Sequence, residues 1–161
     1  MKLEIIKRGD DPFLTLDEVK NWCRVTGNEE DLILSSLITA SVDFFEVYTG
    51  RVLINTTFKC EFKNEPIVLP KSPVIKVISE LPNGAALKWD YQTLEIVGVN
   101  SLEVEFEAGY TKIPEIIKTW ALNKICSWFE NRENVVIGTI AQDLPRSHID
   151  IVLDQFKVRR F

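Results

Sequence analysis

Three glutamates alternate with apolar residues in one short stretch of this 161-residue chain, and their carboxylates and spacing make them the first candidates for chemistry. Glu103, Glu105 and Glu107 stand two residues apart in the segment LEVEFE. On a β-strand, side chains with this spacing project from one face, about 7 Å from each other. Carboxylates that converge can transfer protons or bind hard cations. Because no other ligands converge with them in the sequence, we expect an acidic face directed to solvent or to a channel.

The only histidine, His148, is the second candidate for chemistry, since Asp150 follows it by two residues. Ser147 and Asp150 have the spacing of a capping box at the start of a short helix, about 148–156. That position favours a surface histidine over a general base. The seven glycines are scattered and match no phosphate-binding loop. The sequence therefore predicts no catalytic residue and no enzyme.

Three cysteines, Cys23, Cys60 and Cys126, are widely spaced and form no C-x-x-C pair. A zinc site needs about four clustered cysteine or histidine ligands. We therefore predict no metal and no cofactor, and we interpret all three cysteines as small apolar residues of the core.

The charge of the chain narrows the class of partner. The formal net charge is −5 and the pI is about 5.0. A protein that binds nucleic acid through its phosphates needs a clustered basic surface, which this composition does not favour.

The N-terminal residues are too charged for a signal peptide, and no apolar run approaches the length of a membrane span. We expect a protein made in a reducing cytoplasm, with no membrane partner.

Apolar residues at helical spacing predict four helices. The first lies in LTLDEVKNWCRV, where Thr15 is the predicted N-cap and Glu18 completes a capping box. The second runs over about 29–49, and the third opens with Pro114 in its first turn and runs to about Arg132. The second and third have wide apolar faces, so each must be covered by more than one neighbour. The fourth is the short helix at about 148–156.

Between the second and third helices, about 55–107, the apolar period changes to two. TFKCEFK and LEVEFE alternate in this way, and Asn83-Gly84 is a hairpin signal. Residues 1–13 have no clear period and are expected to form an extended arm. The order predicts an α+β fold: a bundle of about four helices with an antiparallel β-sheet or hairpin region inserted between helices 2 and 3. We predict a single domain over 1–161.

The tryptophans and the C-terminal residues are further candidates for contacts in the core or with a partner. Trp22, Trp120 and Trp128 occupy apolar helical positions and are expected in the core or an interface, whereas Trp89 is expected to be exposed. The chain ends in FKVRRF, which alternates apolar and basic residues. Such a terminus adds a strand to a neighbour, docks in a groove, or packs on its own subunit.

Six segments, in order, carry a resemblance to a known family. They are LTLDEVKNWCRV (14–25), EEDLILSSLITASVDFFEVYTGRVL (29–53), LPKSPV (69–74), FEAGYTKIPEIIK (106–118), SWFENRE (127–133) and LPRSHIDIVLDQFKVRRF (144–161). As an ordered set they resemble the head–tail connector proteins of tailed double-stranded DNA phages and prophages, also called adaptor or head-completion proteins. The chain departs from the family in being short between Pro82 and Tyr91.

The resemblance implies a structural virion protein of the neck, assembled in the host cytoplasm. It implies a homo-oligomeric ring of about a dozen copies. The ring would dock on the portal protein after DNA packaging and receive the next head-completion, stopper or tail protein. DNA would pass through the channel without sequence-specific binding, which an acidic protein favours.

Two sets of residues are assigned to these contacts as hypotheses. For portal docking, within a C-terminal segment of about 145–161, the set is Phe156, Lys157, Val158, Arg159, Arg160 and Phe161. For the subunit interface, the set is Trp128, Phe129, Glu130, Arg132 and Glu133, in which Arg132 would form a two-pronged contact with a neighbour's carboxylate. Asn134 is the predicted end of the third helix.

Two alternatives remain open at this stage. A small DNA-packaging accessory or DNA-binding domain would bind DNA in a salt-sensitive way. An enzyme that uses the acidic strand face would bind a divalent cation, which calorimetry with Mg²⁺ or Mn²⁺ detects.

Overall fold

The structure is a computed structural model that describes residues 1–10, 12–63, 67–89, 93–131 and 149–158. The chain divides into two compact units. The sheet unit comprises Met1–Asp11, Gly50–Lys112 and Val158–Phe161, and the helical unit comprises Pro12–Thr49 and Ile113–Lys157. Mixed helices and antiparallel sheet confirm the coarse α+β prediction, whereas the single domain over 1–161 stays a prediction.

The described residues form seven strands, three α-helices and one 3₁₀ helix. The strands are β1 (Lys2–Arg8), β2 (Thr56–Phe62), β3 (Ile67–Val68), β4 (Val74–Val77), β5 (Ala86–Trp89), β6 (Leu94–Val97) and β7 (Leu102–Ala108). The helices are α1 (Leu16–Cys23), α2 (Asp31–Thr49), α3 (Glu115–Glu130) and the C-terminal 3₁₀ helix (Asp150–Phe156).

The strands of the sheet unit form two sheets in which every strand pair is antiparallel. Their orders are β1-β2-β7-β4 and β3-β6-β5. β2 to β7 lie between α2 and α3 in the chain, but β1 precedes α1 and pairs with β2. The expectation of an extended arm over 1–13 did not include this edge strand, because the alternation of charged and apolar residues in KLEIIKR breaks at Ile5-Ile6, where the pairing with β2 shifts register.

The core of the sheet unit follows the predicted period of two. Phe58, Cys60 and Phe62 of β2 are buried and alternate with half-buried residues. Phe58 stands opposite Phe106 of β7, with ring centroids 5.6 Å apart. Cross-strand aromatic pairs of this kind stabilise a sheet beyond the apolar area that they bury.

A glycine permits the turn that follows β7. Gly109 has φ +138°, and a Cβ at this position would lie 2.7 Å from the Cα of Asn55. A side chain is therefore excluded both by the backbone conformation and by the neighbouring chain. This residue is the glycine of the Ala-Gly-Tyr turn on which the family resemblance partly rests.

The predicted start of α1 is confirmed. The backbone N–H of Glu18 donates to Thr15 Oγ1 at 3.2 Å, and the backbone N–H of Thr15 donates to Glu18 Oε2 at 2.8 Å. This reciprocal pair satisfies two donors at the helix N-terminus that have no partner within the helix. α1 ends at Arg24, whose φ of 56° lies in the left-handed region.

The cysteines differ from the sequence prediction. Cys23 of α1 and Cys126 of α3 form a disulfide, with Cα atoms 5.4 Å apart. Only Cys60 is a free, buried cysteine of the kind expected for all three. The two bonded residues are 103 positions apart in sequence, so no local spacing pattern indicates the pair.

α2 is the longest of the described helices. Its 19 residues are long and apolar enough to cross a membrane by length and composition alone, which corrects the expectation that no apolar run approaches that length. Leu34, Leu37, Val42 and Phe45 are buried in the helical unit, so one side of α2 belongs to the core. Buried core helices of soluble proteins reach the same length and apolar character.

Candidate interaction surfaces

The three glutamates of β7 lie on the face of the strand opposite to buried Val104 and Phe106. The Nζ of Lys59, on β2, is 2.8 Å from Glu103 Oε1, and the hydrogen bond to Glu103 raises the pKa of Lys59. On β4, the Nζ of Lys76 is 3.2 Å from Glu107 Oε1. Strand pairing thus interleaves carboxylates with ammonium groups.

Lys63, which directly follows β2, has a partner outside β7. Its Nζ lies 3.6 Å from Oε1 of Glu61 in β2. Over the residues that the structure describes, no three histidine, cysteine or acidic side chains come together to hold a metal ion. The acidic face is therefore arranged as a charge ladder across β2, β7 and β4 rather than as a convergent ligand set.

A buried polar cluster joins α2, α3 and the 3₁₀ helix, and the sequence analysis missed it. The Nζ of Lys124 donates to Asp150 Oδ2 at 2.8 Å, and the Nε1 of Trp120 donates to Asp150 Oδ1 at 3.1 Å. Lys124 also lies 4.8 Å from the ring centroid of Phe44 and 5.5 Å from that of Trp128. These contacts satisfy the charges away from water and stabilise the ammonium through the aromatic faces.

The spacing of three residues in α3 indicates this cluster. Trp120, Lys124 and Trp128 follow one another at intervals of four residues, so they share one helix face. A lysine between two tryptophans on an apolar face indicates a buried acidic partner when its ammonium group does not reach water. Asp150 is that partner, although its position in the sequence predicted a capping residue or a partner of His148.

Three of the residues predicted for the subunit interface lie at the end of α3. Trp128 and Phe129 are half-buried, and Glu130 is exposed at the last residue of the helix. Asn131 follows as the C-cap, and its Nδ2 donates to the carbonyl of Ser127 at 2.9 Å. Arg132, Glu133 and Asn134 lie outside the described residues.

The described part of the predicted docking segment contacts its own unit. The ring centroid of Phe156 lies 6.4 Å from that of Phe45. The Nζ of Lys157 is 2.8 Å from Asp154 Oδ1 and 3.9 Å from the centroid of Tyr48, whose hydroxyl donates to the same carboxylate at 2.8 Å. The hydrogen bond to Asp154 raises the pKa of Lys157.

The remaining predicted residues divide as follows. Val158 is half-buried, and Arg159, Arg160, Phe161 and His148 lie outside the described residues. Trp120 is 2% exposed, as expected, and Trp89 is 59% exposed, also as expected. Trp22 is 49% exposed, so it lies at the surface of the helical unit rather than in its core.

Comparisons with known proteins concern both the sequence and the fold. Residues 13–82 match a family described as phage gp6-like head-tail connector protein. A search of curated proteins gives no match. Among solved structures, a chain from the neck of an empty GTA particle computed with C6 symmetry has a TM-score of 0.76 and 18% identity. That alignment covers 100% of this chain and 97% of the other.

Two further solved structures agree. A chain from the virion of a native gene transfer agent (GTA) particle has a TM-score of 0.73 at 18% identity. One from the neck of a native GTA particle computed with C12 symmetry has a TM-score of 0.70 at 17% identity. Each alignment covers 100% of this chain and 97% of the other. At such identities the likeness shows that the fold is shared over the whole length.

Proposed function

The match over residues 13–82 confirms the predicted resemblance to head–tail connector proteins, and from that premise we propose that this protein is a connector in the neck of a phage-like particle. The observation that carries the proposal is the agreement of two comparisons, one by family sequence and one by fold over the full length. The role is structural and requires no catalysis.

The proposed assembly is a ring. Chains of the same fold occur in necks computed with C6 and C12 symmetry. A closed ring repeats one heterologous contact, in which a patch on each copy meets a different patch on the next copy. About a dozen copies would surround a channel through which DNA passes, and a net charge of −5 opposes tight binding of the phosphates.

One side of the ring would dock on the portal protein, and the other would receive the next head-completion, stopper or tail protein. For the portal contact we propose the C-terminal segment. Phe156 and Lys157 are held by Phe45, Tyr48 and Asp154, so they anchor the segment on its own unit. The residues that follow, 158–161, would then supply the apolar and basic groups for docking.

For the contact between copies we propose the end of α3. Glu130 is exposed at the last helical residue, while Trp128 and Phe129 are half-buried beside it. Arg132 and Glu133 would add charged groups to the same contact. The charge ladder of Glu103, Glu105 and Glu107 would form an outer or channel-facing surface, because Lys59 and Lys76 already neutralise two of its carboxylates.

Electron microscopy of reconstituted particles tests the function. Purified protein is added to DNA-filled heads that lack it, and the portal vertex is imaged. A ring of density at that vertex is the expected result, and particles without density there contradict the proposal. Filter binding of DNA at low and high salt tests the DNA-binding alternative, which predicts strong, salt-sensitive retention.

Two truncations test the docking segment. A chain ending at Val158 keeps Phe156 and Lys157 and is expected to fold normally but to lose portal binding. A chain ending at Gln155 removes the anchors as well and is expected to bind no better. Unchanged binding by the shorter chain contradicts docking through this segment.

Arg132→Ala tests the α3 contact separately. Gel filtration should show a smaller assembled fraction than the unsubstituted chain gives. Ring formation at the same level would remove Arg132 from the interface.

A further inference from the structure

The outward face of α2 is unusual for a helix that meets water. Seven exposed residues of this helix fall within an arc of about 120°. They are Leu32, Ile33, Ser36, Thr39, Ala40, Asp43 and Val47. Only one of them is charged, whereas the outer face of a surface helix usually carries mostly charged and polar side chains.

Two residues of this face, Leu32 and Val47, are the most exposed large aliphatic side chains among the described residues of the helical unit. Leu32 is 85% exposed and Val47 is 86% exposed. Leu32 and Ile33, which is 40% exposed, lie at the N-terminal end of this face, Val47 lies about four turns further on, and Asp43 is the one charged residue between them. A face of this composition favours contact with another apolar surface.

Because of Asp43, the surface that covers this face of α2 must carry a positive charge. It is exposed, and its carboxylate forms no ion pair with any residue that the structure describes. Covering this face without a cation would remove the carboxylate from water without compensation, which is costly. The covering surface must therefore combine a positive group with an apolar group about one helical turn away, where Val47 stands.

A surface of that kind lies on α1 of the same chain. Arg24 caps the C-terminus of α1, is exposed, and makes no ion pair within the described residues. Trp22 precedes it by two residues and is 49% exposed. The Nε1 of Trp22 donates to Asn123 Oδ1 at 3.2 Å, so the indole is held in place while much of it faces solvent. Tryptophan and arginine are enriched among the residues that dominate interface energies.

We propose that the outward face of α2 in one copy docks on Trp22 and Arg24 of the next copy. Arg24 pairs with Asp43, and the indole of Trp22 packs on Val47. The two patches differ, so the contact is heterologous and propagates in one direction, as closure of a ring requires. This inference rests on the proposed ring and adds a second contact to the one at the end of α3.

Reciprocal charge reversal tests the pairing. The variants are Asp43→Lys, Arg24→Glu and the double variant, compared by sedimentation velocity and on reconstituted particles. Each single reversal places like charges together and should lower the assembled fraction about tenfold. The double variant restores an attractive pair and should recover most of the loss. Glu80→Lys, on the sheet unit, is the matched control and should assemble normally.

Because Asp43 and Arg24 are exposed, neither substitution should disturb folding. Circular dichroism verifies that each variant is folded. A double variant no better than the singles, or a fully assembled Asp43→Lys, overturns this contact and leaves the connector function standing. An unsubstituted chain that forms no ring, either alone or on particles, overturns the ring itself.

The apolar part of the contact is tested separately. Val47→Ser should lower the assembled fraction, whereas Val68→Ser on the sheet unit should leave it unchanged.

Discussion

Lys124 and Asp150 form an ion pair of 2.8 Å with side chains only 11% and 8% exposed. The pair joins α3 to the 3₁₀ helix that begins the C-terminal segment, and Trp120 donates to the second carboxylate oxygen. Two charges buried together are stable only while both partners are present. The place at which the C-terminal segment leaves the helical unit therefore depends on a residue of α3.

Removal of one partner from this pair should be strongly destabilising. Lys124→Met leaves the carboxylate of Asp150 buried without its cation, and we expect a loss of about 3–5 kcal/mol in the free energy of unfolding. Lys124→Met combined with Asp150→Leu removes both charges and should lose much less. Urea denaturation of the single and double variants measures the difference. Additive losses would show that the two residues do not act as a pair.

The capping box of α1 should stabilise the helical unit in a pH-dependent way. Thr15→Ala is expected to lower the free energy of unfolding by about 1 kcal/mol. Hydrogen bonds from the backbone and hydroxyl of Thr15 lower the pKa of Glu18 below its usual 4.5. Because the pKa is lower in the folded state, the stabilisation is complete above the unfolded pKa and is lost as the pH falls through the folded pKa.

Glu18→Gln tests that direction. The stability difference between the unsubstituted chain and this variant should be constant near neutral pH and should shrink as the pH falls below about 4.5. Glu80→Gln, away from any helix terminus, is the control. A difference that grows on acidification would contradict the assignment.

The disulfide should contribute substantially to stability, because it joins residues 103 positions apart. Cross-linking restricts the unfolded chain, and we expect reduction to lower the free energy of unfolding by about 2–4 kcal/mol. Cys23→Ser/Cys126→Ser should show the same loss and no further response to reductant. Equal stability with and without reductant in the unsubstituted protein would indicate that the bond contributes nothing.

Cys60 should resist thiol reagents in the folded protein. It is buried in β2, and burial raises the pKa of its thiol, so the reactive thiolate is scarce. Titration with a coloured disulfide reagent should detect almost no thiol under native conditions. In denaturant, without reductant, one thiol should appear. Rapid labelling of the native protein would contradict the packing of β2.

Local patterns predicted much of this fold, because local interactions determine the elements that they describe. The capping box of Thr15 and Glu18 lies within one helical turn, and the alternation around Phe58 reflects the two faces of one strand. These patterns need no knowledge of distant residues. The six ordered segments added the resemblance to head–tail connector proteins, which no individual motif indicates.

The parts that the sequence analysis missed depend on distant contacts. β1 is a strand because β2 pairs with it, although the alternation in KLEIIKR breaks after Ile5. Lys124 is buried because Asp150 approaches it from a distant segment, and Cys23 meets Cys126 because α1 packs beside α3. Such partners become apparent only when the chain is folded.

The bond between Cys23 and Cys126 also determines how the protein would carry a mechanical load. All of β2 to β7 lies in the chain between these two residues, so a force applied to the termini would bypass that part of the chain. Forced unfolding with the bond intact should be shorter by roughly 350 Å than after reduction, because about 100 residues cannot extend. With the bond intact, β2 to β7 would be shielded from tension along the backbone, whereas β1, which precedes Cys23, would not.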